Sequence, residues 1–352
     1  MFSFGRRKQP LLGIDISSTC IKLIELSQSG NRYRVESYSV EPLPTNSVVE
    51  KNISDVGAVA NALSKAVKRS GSKTRRCALA VPSSAAISKS ITMPANIPED
   101  EMEGQIQLEA DQYIPYSLDE VNLDFEILGT SEITPNTVDV LLAASRTEIV
   151  ETRCSIAEAA GLEPAIIDIE SYATEGAAAL VDIHAESEDK RTTAIFDIGA
   201  TMTSISVVYD GQLIYTREQA FGGRQLTEEI MRRYGLSYAE AGLAKKEGGL
   251  PDNYVPEILN NFKDTLAQQT HRLLQFFFAS SQHTEVNQVI LGGGCASIPG
   301  VDELVEHHTQ TPTIIANPFS RMSFASQINQ QRLGNDAPAL LIAVGLALRS
   351  FD

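Results

Sequence analysis

Two distant segments of this 352-residue chain are nearly the same phrase. Gly13-Ile14-Asp15-Ile16-Ser17-Ser18-Thr19 follows Leu11-Leu12 and leads into Ile21-Lys22-Leu23-Ile24. Phe196-Asp197-Ile198-Gly199-Ala200-Thr201 lies between Thr193-Ala194-Ile195 and Ile205-Ser206-Val207-Val208. Each reads as a buried strand, a tight turn of small residues and a second strand. Such a turn aims backbone N–H groups and hydroxyls at phosphate oxygens, because small residues let the main chain approach closely. An Asp at the strand end suits Mg²⁺, usually through the ion's water shell. One turn in each half suits a phosphate tail gripped from both sides.

The length fits two domains, or one duplicated domain with insertions. A formal net charge of −16 argues against a general nucleic-acid binder, which needs Lys and Arg against the phosphate backbone. No apolar stretch is long enough for a membrane span, and Arg6-Arg7-Lys8 is not followed by the apolar run of a secretory signal. Cys20, Cys77, Cys154 and Cys295 lack metal-type spacing, so free thiols in a reducing compartment are expected.

Organisation follows from periodicity. Strands are expected at 11–16, 20–26 and 33–40, then a helix through Val56, Val59, Leu63 and Val67 capped by Gly71, then a strand at 77–81. The second half echoes this with strands at 193–198, 203–209 and 212–218, the last two joined by Asp210-Gly211, a strong hairpin signal. Between the halves, a helix, two strands and a helix form an insert on its own small sheet. The expected division is a flexible tail at 1–10 and a first lobe of 11–91, 162–190 and 336–352. An inserted subdomain occupies 92–161. The second lobe takes 191–220 and 265–335, with a small subdomain at 221–264. The polar segment 184–190 reads as the loop between halves.

Singly, the motifs are weak, and triple glycine is often only a turn. There is no G-x-x-x-x-G-K-[ST] phosphate loop, and Gly292-Gly293-Gly294 sits too late for a dinucleotide fingerprint. Their order is more specific: Asp turn, insert, Ala-rich helix, second Asp turn, Gly222-Gly223-Arg224-Gln225-Leu226-Thr227, triple glycine, Ala-rich helix. In that order the residues resemble the actin-like ATPase superfamily and, within it, the PilM family, FtsA-like components of type IV pilus assembly. The resemblance runs from Leu11 to Arg349. It implies an α/β fold of actin-like, ribonuclease H-like type, two duplicated lobes with an FtsA-type α-β-β-α insert. Segments 170–180 and 337–349 would be helices crossing between the lobes.

The resemblance also implies roles. Asp15 and Asp197 would face Mg and phosphate, through water in the metal's case; Ser17, Ser18 and Lys22 would hold phosphate from one lobe and Gly199, Ala200 and Thr201 from the other. Gly222, Gly223, Gly292, Gly293 and Gly294 would line ribose and adenine where side chains would collide. Lys245 matches the Lys of an A-E-x-x-K stretch, but Gly242 stands where the ribose-binding acid belongs. Glu170 would position a water, although it reads equally as an acid in a helix's first turn. ATP or ADP with Mg is the implied ligand. The implied partners are the N-terminal cytoplasmic tail of the inner-membrane protein PilN and other pilus assembly components, at the cytoplasmic face of the inner membrane. Self-association and hydrolysis stay open. The alternatives are a small-molecule kinase, which needs a general base beside the terminal phosphate, and an FtsA-like filament former.

Overall fold

The computed structural model describes residues 10–131, 134–181 and 190–352; all but the last residue of the expected tail at 1–10 and most of the loop at 184–190 lie outside the described residues. Strand β1 (Leu12–Ile16) pairs antiparallel with β2 (Cys20–Ser29), and β2 with β3 (Arg32–Pro42). A short hairpin of β4 (Val48–Val49) and β5 (Asn52–Ile53) precedes helix α1 (Val56–Ser70). The Asp55 carboxylate accepts the Ala58 N–H at 2.9 Å to start α1, and left-handed Gly71 stops it. β6 (Arg76–Val81) then runs parallel to β1.

The insert follows as β7 (Ala86–Pro94), α2 (Glu99–Ala110), β8 (Val121–Thr130) and β9 (Thr137–Arg146), its sheet ordered β7-β9-β8. Chain then returns through α3 (Thr147–Ala159), β10 (Glu163–Ile169) and α4 (Glu170–Val181). The second half opens with β11 (Thr192–Ile198), β12 (Thr203–Tyr209) and β13 (Gln212–Gln219). Helices α5 (Gly223–Tyr234), α6 (Tyr238–Glu247) and α7 (Asn260–Ser280) follow, then β14 (Gln288–Gly292), α8 (Val301–Thr309) and β15 (Thr313–Ile315). The chain closes with β16 (Ser323–Phe324), α9 (Gln330–Asp336) and α10 (Leu341–Leu348).

The two large sheets repeat one topology. In the first, β3-β2-β1 are antiparallel neighbours and β1-β6-β10 parallel ones; in the second, β13-β12-β11 and β11-β14-β15 do the same. Asp210-Gly211 makes the expected tight turn, with both residues at positive φ.

Three expected boundaries move. The insert begins at Ala86 rather than residue 92, because β7 is the third strand of its sheet, pairing with β9 from Ala86↔Ser145 to Pro94↔Thr137. Its Ile91 and Met93 join Met102, Ile106, Ala110, Val140 and Leu142 in one buried cluster. The insert's expected closing helix, α3, instead places Ile156 and Ala157 in the core beneath α1 and β1, so it packs with the first lobe. The insert is therefore β-α-β-β rather than α-β-β-α. The third shift is β16, expected with the second lobe, which pairs with β3 through Ser323↔Arg34 and extends the first sheet.

Helices α4 and α10 lie between the sheets, as expected for 170–180 and 337–349. Ile24, Val35, Ala177, Ile195, Ile290, Leu341 and Val344 form one buried cluster drawn from both sheets and both helices. The helices touch backbone to backbone: a Cβ on Gly345 would sit 1.7 Å from the Ala173 carbonyl oxygen. On the other side of α10, a Cβ on Gly13 of β1 would meet the Ala343 oxygen at 2.0 Å. Gly345→Ala is expected to cost about 2 kcal/mol or more in urea unfolding, because neither helix can retreat without opening the shared core. Gly334→Ala, where a new methyl inside α9 meets nothing within 4 Å, is the control and is expected to unfold no more easily than the parent chain, since alanine favours a helix over glycine.

Candidate functional site

Antiparallel pairing places directly opposed residues on the same face of a sheet. In the first lobe Asp15 opposes Lys22, so register alone brings carboxylate and ammonium together, and Lys22 Nζ donates to Asp15 Oδ2 at 2.7 Å. Both side chains are at least nine-tenths buried. Burial disfavours the Lys22 charge, but Asp15, Cys20 and Asp197 outweigh it and hold the ammonium above the ordinary lysine range.

The second lobe breaks the symmetry here. Asp197 opposes Ser204, not a cation. Burial pushes the Asp197 carboxyl up, Lys22 and Lys51 pull it back down, and Asp15 and Glu218 push it up again. Among the described residues, Asp197 makes no salt bridge within 4 Å. The next residue in the same cross-strand row, Glu218, opposes Ser204 from β13. This lobe thus presents two carboxylates and no cation of its own in that row.

The turns after the two aspartates are built alike. Ser17 N–H donates to the Cys20 carbonyl, and Gly199 N–H to the Met202 carbonyl, each at 3.0 Å. The turns also meet: Thr201 Oγ1 donates to Ser18 Oγ at 3.2 Å. The Ser17 hydroxyl is engaged inside its own turn, donating to the Cys20 carbonyl at 2.8 Å. Arg224 reaches from the N-terminus of α5 to Asn46 Oδ1 at 3.3 Å, a further contact between lobes.

Around the expected glycines, neighbouring protein fills most of the space that a side chain would need. A Cβ on Gly222 would lie 2.6 Å from the backbone of Gly199 and Ala200, and one on Gly293 would lie 2.4 Å from the Ile198 oxygen. At Gly292 it would strike Leu341 of α10 at 2.5 Å, and at Gly223 the Cys295 sulfur at 2.8 Å. These glycines are required by protein against protein; Gly294 alone of the five faces open space. The packing aligns α5: Gly223 N–H donates to the Gly199 carbonyl at 3.0 Å and Arg224 N–H to the Ala200 carbonyl at 2.7 Å. Lys245 donates to Thr227 Oγ1 at 2.9 Å and to the Gly223 carbonyl at 3.3 Å, and burial lowers its pKa. Cys295 donates to the Gly199 carbonyl at 3.3 Å, its thiol pushed up to about 11 chiefly by burial.

Glu170, the first residue of α4, is buried, and burial raises its pKa while Lys51 opposes the rise. Lys51 was not anticipated. Its ammonium donates to Glu170 Oε2 at 2.5 Å and to Glu218 Oε1 at 2.7 Å, joining the first lobe to the second. The carboxylates Asp15, Asp197, Glu170 and Glu218 outnumber the ammonium groups Lys22 and Lys51 in this cleft. Among the described residues no three His, Cys, Asp or Glu side chains converge tightly enough to ligate a metal directly.

A family model for the type IV pilus assembly protein PilM matches residues 13–351. The chain belongs to the PilM family. A solved PilM-PilN type IV pilus biogenesis complex is similar over 98% of this chain and 99% of that one, at 26% identity and a TM-score of 0.81. The ethanolamine utilization protein EutJ of Carboxydothermus hydrogenoformans matches 96% of this chain and 89% of its own, at 16% identity and a TM-score of 0.56, a likeness of fold alone. The cell division protein FtsA of Bacillus subtilis (strain 168) is 27% identical over 59% of this chain. The match spans half the length of FtsA. The PilM-family chain therefore has the actin-like fold and is a component of type IV pilus assembly. Among the described residues no helix is long and apolar enough to cross a membrane.

Lys22→Met leaves Asp15 buried without its partner and is expected to cost about 3 kcal/mol in urea unfolding. Lys22 is raised in the folded chain, so its contribution is complete below the unfolded lysine value of about 10.4 and fades only as pH climbs toward the folded value. The difference between parent and variant should be equal at neutral pH and in mildly alkaline buffer; a difference that shrinks across that interval contradicts the assignment.

Proposed function

We propose that this chain binds ATP or ADP with Mg²⁺ between its lobes and, in that form, serves as the cytosolic partner of PilN in the type IV pilus machine. The observation that carries this reading is the whole-length likeness to the PilM-PilN complex, joined to two aspartate turns that face one another at Ser18 and Thr201. A phosphate tail would take the place of that Ser18–Thr201 hydrogen bond. It would be received by the N–H groups of Ser18, Ala200 and Thr201 and by the Ser18 and Thr201 hydroxyls, with Lys22 behind them, while Ser17 and Gly199, whose N–H groups close the two turns, would hold those donors in place. Gly222, Gly223, Lys245, Gly292, Gly293 and Gly294 would form the nucleoside side of the site.

The donors fit a magnesium ion held through its water shell. Asp197 is a desolvated carboxylate without an ion pair, the group a dication would neutralise, and Asp15 faces it from the other lobe. When bound, Mg²⁺ supplies charge neutralisation for the phosphates. Asp197 orients it; Asp15, already tied to Lys22, fixes the opposite wall. Glu170 stands at the head of α4 as the carboxylate suited to holding a water.

For the partner, the insert supplies an open sheet edge. β8 is an outer strand of the β7-β9-β8 sheet, with Ile127 and Leu128 exposed on it and Tyr116 exposed just before it. An extended N-terminal tail of PilN would add along such an edge, with main-chain hydrogen bonds for affinity and apolar side chains for register. Attachment to the inner membrane would then come through PilN.

Asp197→Ala is expected to weaken Mg-ATP binding in calorimetric titration by about 100-fold, with thermal unfolding of the ligand-free chain nearly unchanged. Unaltered affinity would remove Asp197 from the site. Ile127→Asp is expected to weaken a PilN tail peptide about tenfold in fluorescence anisotropy while sparing nucleotide affinity; equal binding by both chains would place the peptide elsewhere.

A further inference from the structure

Lys51 stands at the tip of the β4–β5 hairpin, where Val49 opposes Asn52 and only Glu50 and Lys51 make the turn. Both central residues have positive φ, 48° at Glu50 and 65° at Lys51. Such a turn is ordinarily made by Asn, Asp or Gly, and neither residue here is one of those. Backbone of this kind persists where the surroundings over-determine it. What over-determines it is electrostatic. Lys51 is largely buried, and although burial disfavours its charge, Glu170 and then Glu218 hold the ammonium above the ordinary lysine range.

The cross-strand rows show why a cation is needed there. The first lobe's row runs Asp15, Lys22, Val40, an acid beside its own base. The second lobe's row runs Asp197, Ser204, Glu218, two acids with none. Lys51, reaching over from the first lobe, supplies the missing positive charge, bonding Glu218 directly and drawing down Asp197 through space. The same ammonium holds Glu170.

We propose that Lys51 is a positioning residue of the cleft: it fixes the Glu170 carboxylate and ties it to Glu218 of the opposite lobe, so that lobe closure and the orientation of Glu170 are one event. This deepens the nucleotide-site reading above and rests on it for Glu170's task, but the linkage is a property of the ligand-free chain. Glu170 is faced by Lys51 from the hairpin, by Glu218 from β13, by Asp15 from β1 and by Arg153 from α3. Arg153 is committed elsewhere, donating to the carbonyls of Ala80 at 2.7 Å and Ile149 at 3.1 Å. Lys51 is the cation that bonds the carboxylate itself.

The test compares Lys51→Met, Lys51→Arg and Glu218→Gln in the full ligand-free chain by amide hydrogen exchange and by carbon-13 NMR of the Glu170 carboxyl. In Lys51→Met, amides of 48–53, 212–219 and the first turn of α4 should exchange about tenfold faster. The Glu170 titration should move up by about one pH unit or more, since the opposing positive charge is gone. Lys51→Arg should restore both. Glu218→Gln, which keeps side-chain volume and the Lys51–Glu170 pair, should speed exchange at 48–53 and 212–219 and leave the first turn of α4 as in the parent. The proposal is overturned if Lys51→Met leaves exchange and the Glu170 titration unchanged, or if Glu218→Gln alters neither hairpin nor β13. If the parent chain fails to bind Mg-ATP, the nucleotide reading falls while these ligand-free measurements still decide the linkage.

Discussion

The two large sheets are held in register by the contact of two helix backbones at Gly345 and Ala173. At that point α10 carries no side chain and meets the backbone of α4, and the shared core around it takes residues from both sheets. Interiors this dense transmit displacement instead of absorbing it. The aspartate turns at the ends of β1 and β11 are consequently presented to one another by rigid parts: β1 against α10 at Gly13, and the second turn against α5 and the triple glycine.

Duplication supplied the frame, and its breakage supplied the chemistry. Both lobes keep the strand order, the aspartate and the turn hydrogen bond. They differ in the residue across the ladder, Lys22 in one and Ser204 in the other. One aspartate is thereby neutralised within its own lobe, while the other is left desolvated and dependent on charge brought from outside. Two identical halves would have placed in the cleft either two satisfied ion pairs or two unsatisfied acids that repel each other. The unlike pair avoids both.

Much of this was legible in the residues. The repeated Asp turn, the Asp210-Gly211 hairpin, the α1 cap at Gly71 and the two Ala-rich crossing helices each carry a local physical signature, and each lies where that signature put it. The misreadings share a cause: they depend on contacts distant in the chain. β7 alternates Ile87, Lys89, Ile91 and Met93, but its sheet identity comes only from β9. α3 has an unremarkable pattern, and its side is decided by the α1 core. Residues of β16 are too few to show any periodicity. Lys51 was invisible for a sharper reason, since Glu50-Lys51 violates the composition by which such turns are recognised. At four of the five expected glycines the room a side chain would need is already taken by the protein, by backbone at Gly222 and Gly293 and by side chains at Gly223 and Gly292, and such long-range packing leaves no mark in the local sequence.

The position of Cys295 has a practical meaning. Its sulfur is wedged between the Gly199 carbonyl and Gly223, joining the second turn to the start of α5, and the thiol is held well into the alkaline range. A protonated, covered sulfur does not react with alkylating reagents. Chemical silence at this atom is therefore a built-in gauge of the junction between turn and helix: whatever pries that junction apart announces itself as a newly reactive thiol.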